Sequence, residues 1–246
     1  MTSIEPELPG PVADGLAVWL EQHREFAPGL VEGLYVVGSV ALDDWRPGSD
    51  IDIVATTADP PTDTEAGQLR AAFEATRSRV DITIDGPIVA WSDLASAPLA
   101  AMRPWTLDGE FRFDGDCFEI NPVTWYTLAT RGIPVLGPDA GHLGVQVDVG
   151  ERVSWVRENV DTYWRGVTAQ LRGALDRAPE QQHFDADAIE WCALGIARML
   201  FTSTTGEVAS KSAAGGWAAQ VLPDRAVLLR AAVAIRDRHD RDEQVN

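Results

Sequence analysis

Two textures of hydrophobic patterning divide the chain. In the first 150 residues the apolar positions fall in short runs. Residues 34–37 and 51–55 are rich in β-branched and aliphatic side chains. Residues 80–84 and 111–120 alternate apolar with polar, and each of the four stretches predicts a strand. Between them, Leu69, Phe73 and Thr76 recur at helical spacing within 64–77. Asn121-Pro122 reads as the cap and first residue of another helix, which ends at Gly132. Residues 133–136 then form a short strand ahead of Gly137-Pro138.

The remainder is helical. Val153, Val156, Val160, Trp164, Val167, Leu171 and Leu175 recur at steps of three and four, which predicts one apolar stripe along a long helix. Asp185 or Asp187 caps a second helix, through Ile189, Ile196 and Leu200, that stops near Gly206. Ser210 caps a short third helix. Pro223 opens a fourth through Leu229 and Ile235, and the mixed-charge residues from Arg236 on are expected to fray. Four helices in under a hundred residues predict a bundle.

Charge sharpens this division. The chain has 246 residues and a formal net charge of −18. Residues 1–150 hold 24 acids and 8 bases, whereas residues 151–246 hold 14 acids and 12 bases. Two domains meeting near residue 150 are expected. The acid excess argues against a nucleic-acid or anionic-membrane binder and suits a cationic partner, or simply solubility. No leader or membrane-spanning stretch is read from the sequence, so a cytoplasmic monomer is expected. Cys117 and Cys192 form no paired motif and read as buried thiols. The four histidines, His23, His142, His183 and His239, lack metal-ligand spacing and read as surface residues.

One motif carries chemistry. A predicted strand runs into Gly38-Ser39, and a turn leads to Ser49-Asp50-Ile51-Asp52-Ile53. Residues two apart in a strand share a face, so Asp50 and Asp52 point one way while Ile51 and Ile53 enter the core. Two carboxylates side by side beside a Gly-Ser turn suit a Mg²⁺–nucleotide site. Hard Mg²⁺ takes carboxylate and phosphate oxygens, and glycine lets backbone N–H groups approach a phosphate. Asp81, set among β-branched neighbours at 80–84, is read as a third carboxylate of the site.

These residues resemble the nucleotidyltransferase superfamily of the DNA polymerase beta type. Within it the chain is similar to the aminoglycoside adenylyltransferases that act on streptomycin and spectinomycin. The closer likeness rests on Val80-Asp81-Ile-Thr-Ile84 followed by Trp91, and on Glu119-Ile-Asn121 leading to Val135-Leu136-Gly137-Pro138. It continues in Ala197-Arg198, Thr205-Gly206, Ser210-Lys211 and Trp217-Ala218. Asp81 stands where that subgroup usually has Glu, and Gly109-Glu110-Phe111 stands where it has Gly-Glu-Trp.

The resemblance implies an α/β (α+β) nucleotidyltransferase domain with a mixed sheet at 1–150. An α-helical bundle domain at 151–246 would complete the nucleotide and acceptor sites. Asp50, Asp52 and Asp81 would hold Mg²⁺, with Asp81 as general base and Glu119 as the alternative base. Gly38, Ser39, Ser49, Asn121, Arg198 and Lys211 would bind ATP. Glu110, Phe111, Asp185, Asp187 and Glu190 would face the acceptor. Lys211 is the only lysine among 20 basic residues. Its place after Ser210, at a helix start, independently suits a phosphate.

The expected reaction moves AMP from Mg-ATP to a hydroxyl of a small cationic acceptor such as an aminoglycoside, an antibiotic-resistance activity. The alternatives are a non-catalytic nucleotide-sensing or antitoxin-like module on the same fold, and AMP transfer to a protein.

Overall fold

The computed structural model describes residues 8–95, 102–115, 117–177 and 185–242. The chain divides into two compact units between Val147 and Asp148.

The first unit is built on a mixed sheet. Among the described residues it has six strands in the order β5-β4-β3-β2-β1-β6. These are β1 (Val31–Val36), β2 (Ile51–Thr57), β3 (Ile84–Ala90), β4 (Trp105–Leu107), β5 (Glu110–Arg112) and β6 (Ile133–Leu136). Only the β2–β3 pair is parallel. Helix α3 (Asp63–Arg77) supplies the crossover that a parallel pair requires. It starts on a full capping box, in which Thr62 and Glu65 satisfy each other's backbone N–H.

Alternation along the strands sorts residues onto two faces. Ile51, Ile53 and Ala55 of β2 join Ile84 and Ile88 of β3 in one core layer, with Val12, Leu16 and Trp19 of α1 (Gly10–Phe26) and Leu69 and Phe73 of α3. Val54 and Val89 enter the opposite layer, with Cys117, Ile120, and Trp125 and Leu128 of α4 (Pro122–Arg131). Asp52 and Asp85 share this second face.

Several expectations need correction. The strand read at 80–84 lies four residues later, at Ile84–Ala90. The run at 111–120 is a strand only as far as Arg112, because Asp114-Gly115 breaks it with a turn. Helix α1 carries no sequence-based expectation, although Val12, Leu16, Trp19 and His23 repeat at helical spacing and are buried. His23 is therefore a core residue: it stacks on Trp19 at 3.5 Å and its ring nitrogen bonds the Trp19 carbonyl at 2.7 Å.

The second unit packs α5 (Val149–Asn159), α6 (Arg165–Arg177), α7 (Ala186–Thr205), α8 (Lys211–Val221) and α9 (Ala226–Asp242). A π-helical segment, Val160–Trp164, joins α5 to α6. It breaks the phase of the long stripe: Trp164 is buried while Val160 is exposed. Trp164 lies so close to Gly195 of α7 that a Cβ there would sit 2.4 Å from the indole. The core of α7, α8 and α9 is made of small residues, Ala197, Ala214, Ala218, Ala219 and Ala226, with Leu229. Buried Arg152 donates to the Gly206 carbonyl, tying α5 to the left-handed cap of α7. The expected fraying from Arg236 does not occur in the described residues: α9 continues to Asp242, and Arg236 is buried. The side chains of Leu175 and His239, and all of His183, lie outside the described residues. No described helix is long and apolar enough to cross a membrane.

Candidate active site

Strand β1 ends at Val36, and Gly38 turns the chain with φ +59°, a conformation costly for residues with a Cβ. The absence of that Cβ also leaves room for a carboxylate: a Cβ on Gly38 would lie 1.7 Å from Asp52 Oδ2. The same oxygen accepts a long hydrogen bond from the Ser39 N–H at 3.4 Å, and Val37 N–H donates to the Asp52 carbonyl at 2.9 Å. The Gly-Ser turn and Asp52 thus form one local structure. Asp50, just ahead of β2, is exposed; Asp52 is half-buried. The Ser39 hydroxyl is buried and has no hydrogen-bond partner among the described residues. Ser49 closes the intervening turn, its N–H donating to Arg46.

Parallel register places Asp85 of β3 directly beside Asp52. Asp85 is 2% exposed. Its Oδ2 accepts from the Asp108 N–H at 2.8 Å, while Oδ1 is buried without a partner. Burial, more than the neighbouring Asp50 and Asp108, pushes the Asp85 carboxyl up to about 6 against the pull of the Asp108 and Gly109 amides. Glu119 precedes α4 on this face. Burial, followed by repulsion from Asp52, Asp85, Asp50 and Asp108, raises it to about 9. The first unit therefore gathers negative charge that is incompletely compensated.

In the second unit Ser210 caps α8 through the Ala213 N–H, and Lys211 is the first helical residue. Lys211 Nζ lies 3.3 Å from Glu190 of α7, and the same carboxylate oxygen lies 3.2 Å from Arg236 Nη1 of α9. Arg198 is half-buried on α7.

Two family models match the chain. A nucleotidyltransferase domain matches residues 20–85, and the C-terminal domain of aminoglycoside adenylyltransferases matches residues 156–246. Among solved structures, the spectinomycin adenyltransferase from Enterococcus faecialis, crystallised with ATP and spectinomycin, is similar with a TM-score of 0.61 and 17% identity. That likeness covers 91% of this chain and 89% of the other. No curated protein matches at the level of sequence. The chain is a nucleotidyltransferase that resembles the aminoglycoside adenylyltransferases.

The carboxylate that the parallel pairing sets beside Asp52 is Asp85. Asp81 is exposed in a bend ahead of β3. The two positions have the same alternation phase, which hides the difference from pattern reading. Gly86-Pro87 also reads as a strand end, yet both residues lie within β3. Gly86 is required there because the Ile53 carbonyl oxygen occupies the space of its Cβ, at 1.9 Å.

Other expected site residues have different work. Asn121 is the buried N-cap of α4: its Oδ1 accepts from Val123 and Thr124, and its amide donates to the Phe118 carbonyl. Its side chain is committed to the fold and not to a nucleotide. Phe111 is 8% exposed, packed against Phe73 with the Arg70 guanidinium over its ring, so it is a core residue and not an acceptor platform. Glu110 is exposed and pairs with Arg112 at 2.9 Å. Glu190 holds Lys211 and Arg236. Asp185 caps α7 by accepting from the Asp187 N–H, and both acids are exposed.

The first unit fits a divalent cation in one respect. Asp85 Oδ1 is a buried, unpartnered acceptor beside further carboxylates whose mutual repulsion a cation relieves. Among the described residues no three acidic, histidine or cysteine side chains stand close enough to hold a metal by themselves. Mg²⁺ keeps several waters and is usually bound by one or two carboxylates together with substrate phosphates.

Proposed function

We propose that this chain transfers AMP from Mg-ATP to a hydroxyl of a small cationic acceptor of the aminoglycoside or aminocyclitol class, releasing pyrophosphate. The observation that carries the reading is the register pair Asp52–Asp85 beside the Gly38-Ser39 turn, with one oxygen of Asp85 buried and unpartnered. The ATP and spectinomycin bound to the similar adenyltransferase support the choice of donor and acceptor class.

Asp52 and Asp85 would hold Mg²⁺ together with the substrate phosphates, with Asp50 at the same edge; the ion would supply charge neutralisation for the triphosphate. Gly38 and Ser39 meet the phosphates, the glycine through its bare backbone and the serine through its unpartnered hydroxyl. Ser49 sits in the turn that carries Asp50 and completes this edge. Asp85 Oδ1 takes the proton from the acceptor hydroxyl as the oxygen attacks the α-phosphorus in line. The bond from the α-phosphorus to the bridging oxygen breaks, and pyrophosphate leaves with that electron pair. With its carboxyl at about 6, Asp85 is ionised at neutral pH and able to accept that proton. Glu119, at about 9, holds its own proton there and is the poorer base. Lys211, Arg198 and Asp187 of the second unit are the charged groups that the resemblance implies for the nucleotide and the acceptor.

The test is direct. Incubation with ATP, Mg²⁺ and a panel containing spectinomycin, streptomycin and other aminoglycosides should give an acceptor increased by one AMP in the mass spectrum. Absence of product across the panel, with Mg-ATP binding measured in parallel, would sink the acceptor assignment.

A further inference from the structure

The Asp85 carboxylate is held from one side only, by a turn. The Asp108 N–H donates to Oδ2 at 2.8 Å, and the neighbouring Gly109 amide also favours the ionised carboxylate. Both amides belong to the two-residue loop of the β4–β5 hairpin, where Leu107 pairs with Glu110. Asp108 has φ +50° and Gly109 has φ +72°. Positive φ at both central residues is the signature of a type I′ turn, and Asp-Gly is one of the few dipeptides that form it readily. Asp108 is one of only two non-glycine residues with positive φ among those described, the other being Asp43.

The hairpin is stitched to the backbone on either side of Asp85 as well. The Thr106 hydroxyl accepts from the Gly86 N–H at 3.1 Å and donates to the Ile84 carbonyl at 3.1 Å. Thr106 and Gly86 are also register partners. Three consecutive residues of β3 are therefore fixed by one short hairpin, which neither family match reaches. The result is asymmetric: Oδ2 accepts from the Asp108 N–H, and Oδ1 is buried and unpartnered.

We propose that the Asp108-Gly109 turn is the positioning element of the reaction: the Asp108 amide it presents fixes Oδ2 of Asp85, so that Oδ1 is the oxygen left for the reacting groups. The proposal rests on Asp85 being the site carboxylate. It assigns the hairpin a role in catalysis beyond edge pairing. The Asp108 side chain is not the working part; the conformation it permits is. Asparagine also tolerates left-handed φ, so Asp108→Asn retains the turn, whereas alanine at both positions disfavours it.

Two measurements test this. Asp108→Asn should keep kcat within about threefold, while the double variant Asp108→Ala, Gly109→Ala should lower kcat by about a hundredfold, as expected for a displaced catalytic group. KM for ATP and cooperative unfolding should be retained in both. A double variant with wild-type kcat would overturn the proposal. So would a loss confined to the melting temperature, which is what a purely structural hairpin predicts. Independently of turnover, amide hydrogen exchange at Asp108 should quicken by about tenfold or more in Asp85→Ala, because this amide loses its acceptor. Unchanged exchange would show that the clamp does not exist. An inactive wild-type protein with this exchange response would overturn the reading of the site and leave the clamp standing.

Discussion

Glu119 holds its proton where a free glutamate has lost it. In the unfolded chain its carboxyl titrates at about 4.5, and in the folded protein at about 9, through burial first and the charges of Asp52, Asp85, Asp50 and Asp108 after it. Between those values the folded state binds a proton that the unfolded state releases, so stability falls as pH rises. Asp85, raised from 3.8 to about 6, acts in the same sense but only up to its own folded value. Buried His23 is lowered from 6.5 to about 4 and acts in the opposite sense within that range. The window from 6.5 to 9 therefore isolates Glu119. Without divalent cations, the melting temperature should fall across it, and Glu119→Gln should flatten the slope. Parallel slopes for the two proteins would contradict the assignment. Added Mg²⁺ should flatten the wild-type slope as well, because a cation among these carboxylates lowers Glu119.

At the scale of elements, the site is set by where strands start. The crossover helix α3 was legible from its spacing, and α4 from Asn121-Pro122, because caps and periodicity are local signals. The start of β3 was not, because Asp81 and Asp85 share one alternation phase and only pairing with β2 decides between them. The same limit explains Phe111, whose burial depends on α3 packing over the hairpin, and the π segment, whose extra residue leaves no mark on a stripe of steps of three and four. The alternation of Asp52 with Ile51 and Ile53 was legible because it needs no partner strand, whereas Asp50, read as part of that strand, lies just ahead of it and is exposed.

Glycines show what pairing demands. Gly86 has φ +144° and the Ile53 carbonyl in its Cβ space, so Gly86→Ala should cost on the order of 3 kcal/mol or more and disturb the Asp52–Asp85 register. Gly67 lies exposed inside α3 with nothing within 4 Å of a Cβ. Gly67→Ala should therefore stabilise the protein by about 1 kcal/mol. Thermal melts of the two variants read both signs at once.

Across the whole molecule, the −18 charge resides mainly in the first 150 residues, which hold 24 of the 38 acids. Asp52, Asp85 and Glu119 belong to that excess: burial first, and then the neighbouring carboxylates, raise Glu119. The lone lysine has a role inside the second unit, where it shares Glu190 with Arg236 and joins α7, α8 and α9 in one charged cluster.

The claim on which the account depends is that Asp85, and not Asp81, completes the carboxylate set. It is tested by measuring pyrophosphate release from Mg-ATP with an accepted aminoglycoside for the full chain, Asp85→Asn and Asp81→Asn side by side. Asp85→Asn should lose about a hundredfold or more in kcat while still binding Mg-ATP, as removal of a general base does. Asp81→Asn should stay within about twofold of the parent, as an exposed residue outside the site does. Retained turnover in Asp85→Asn, or its loss in Asp81→Asn, would contradict the account.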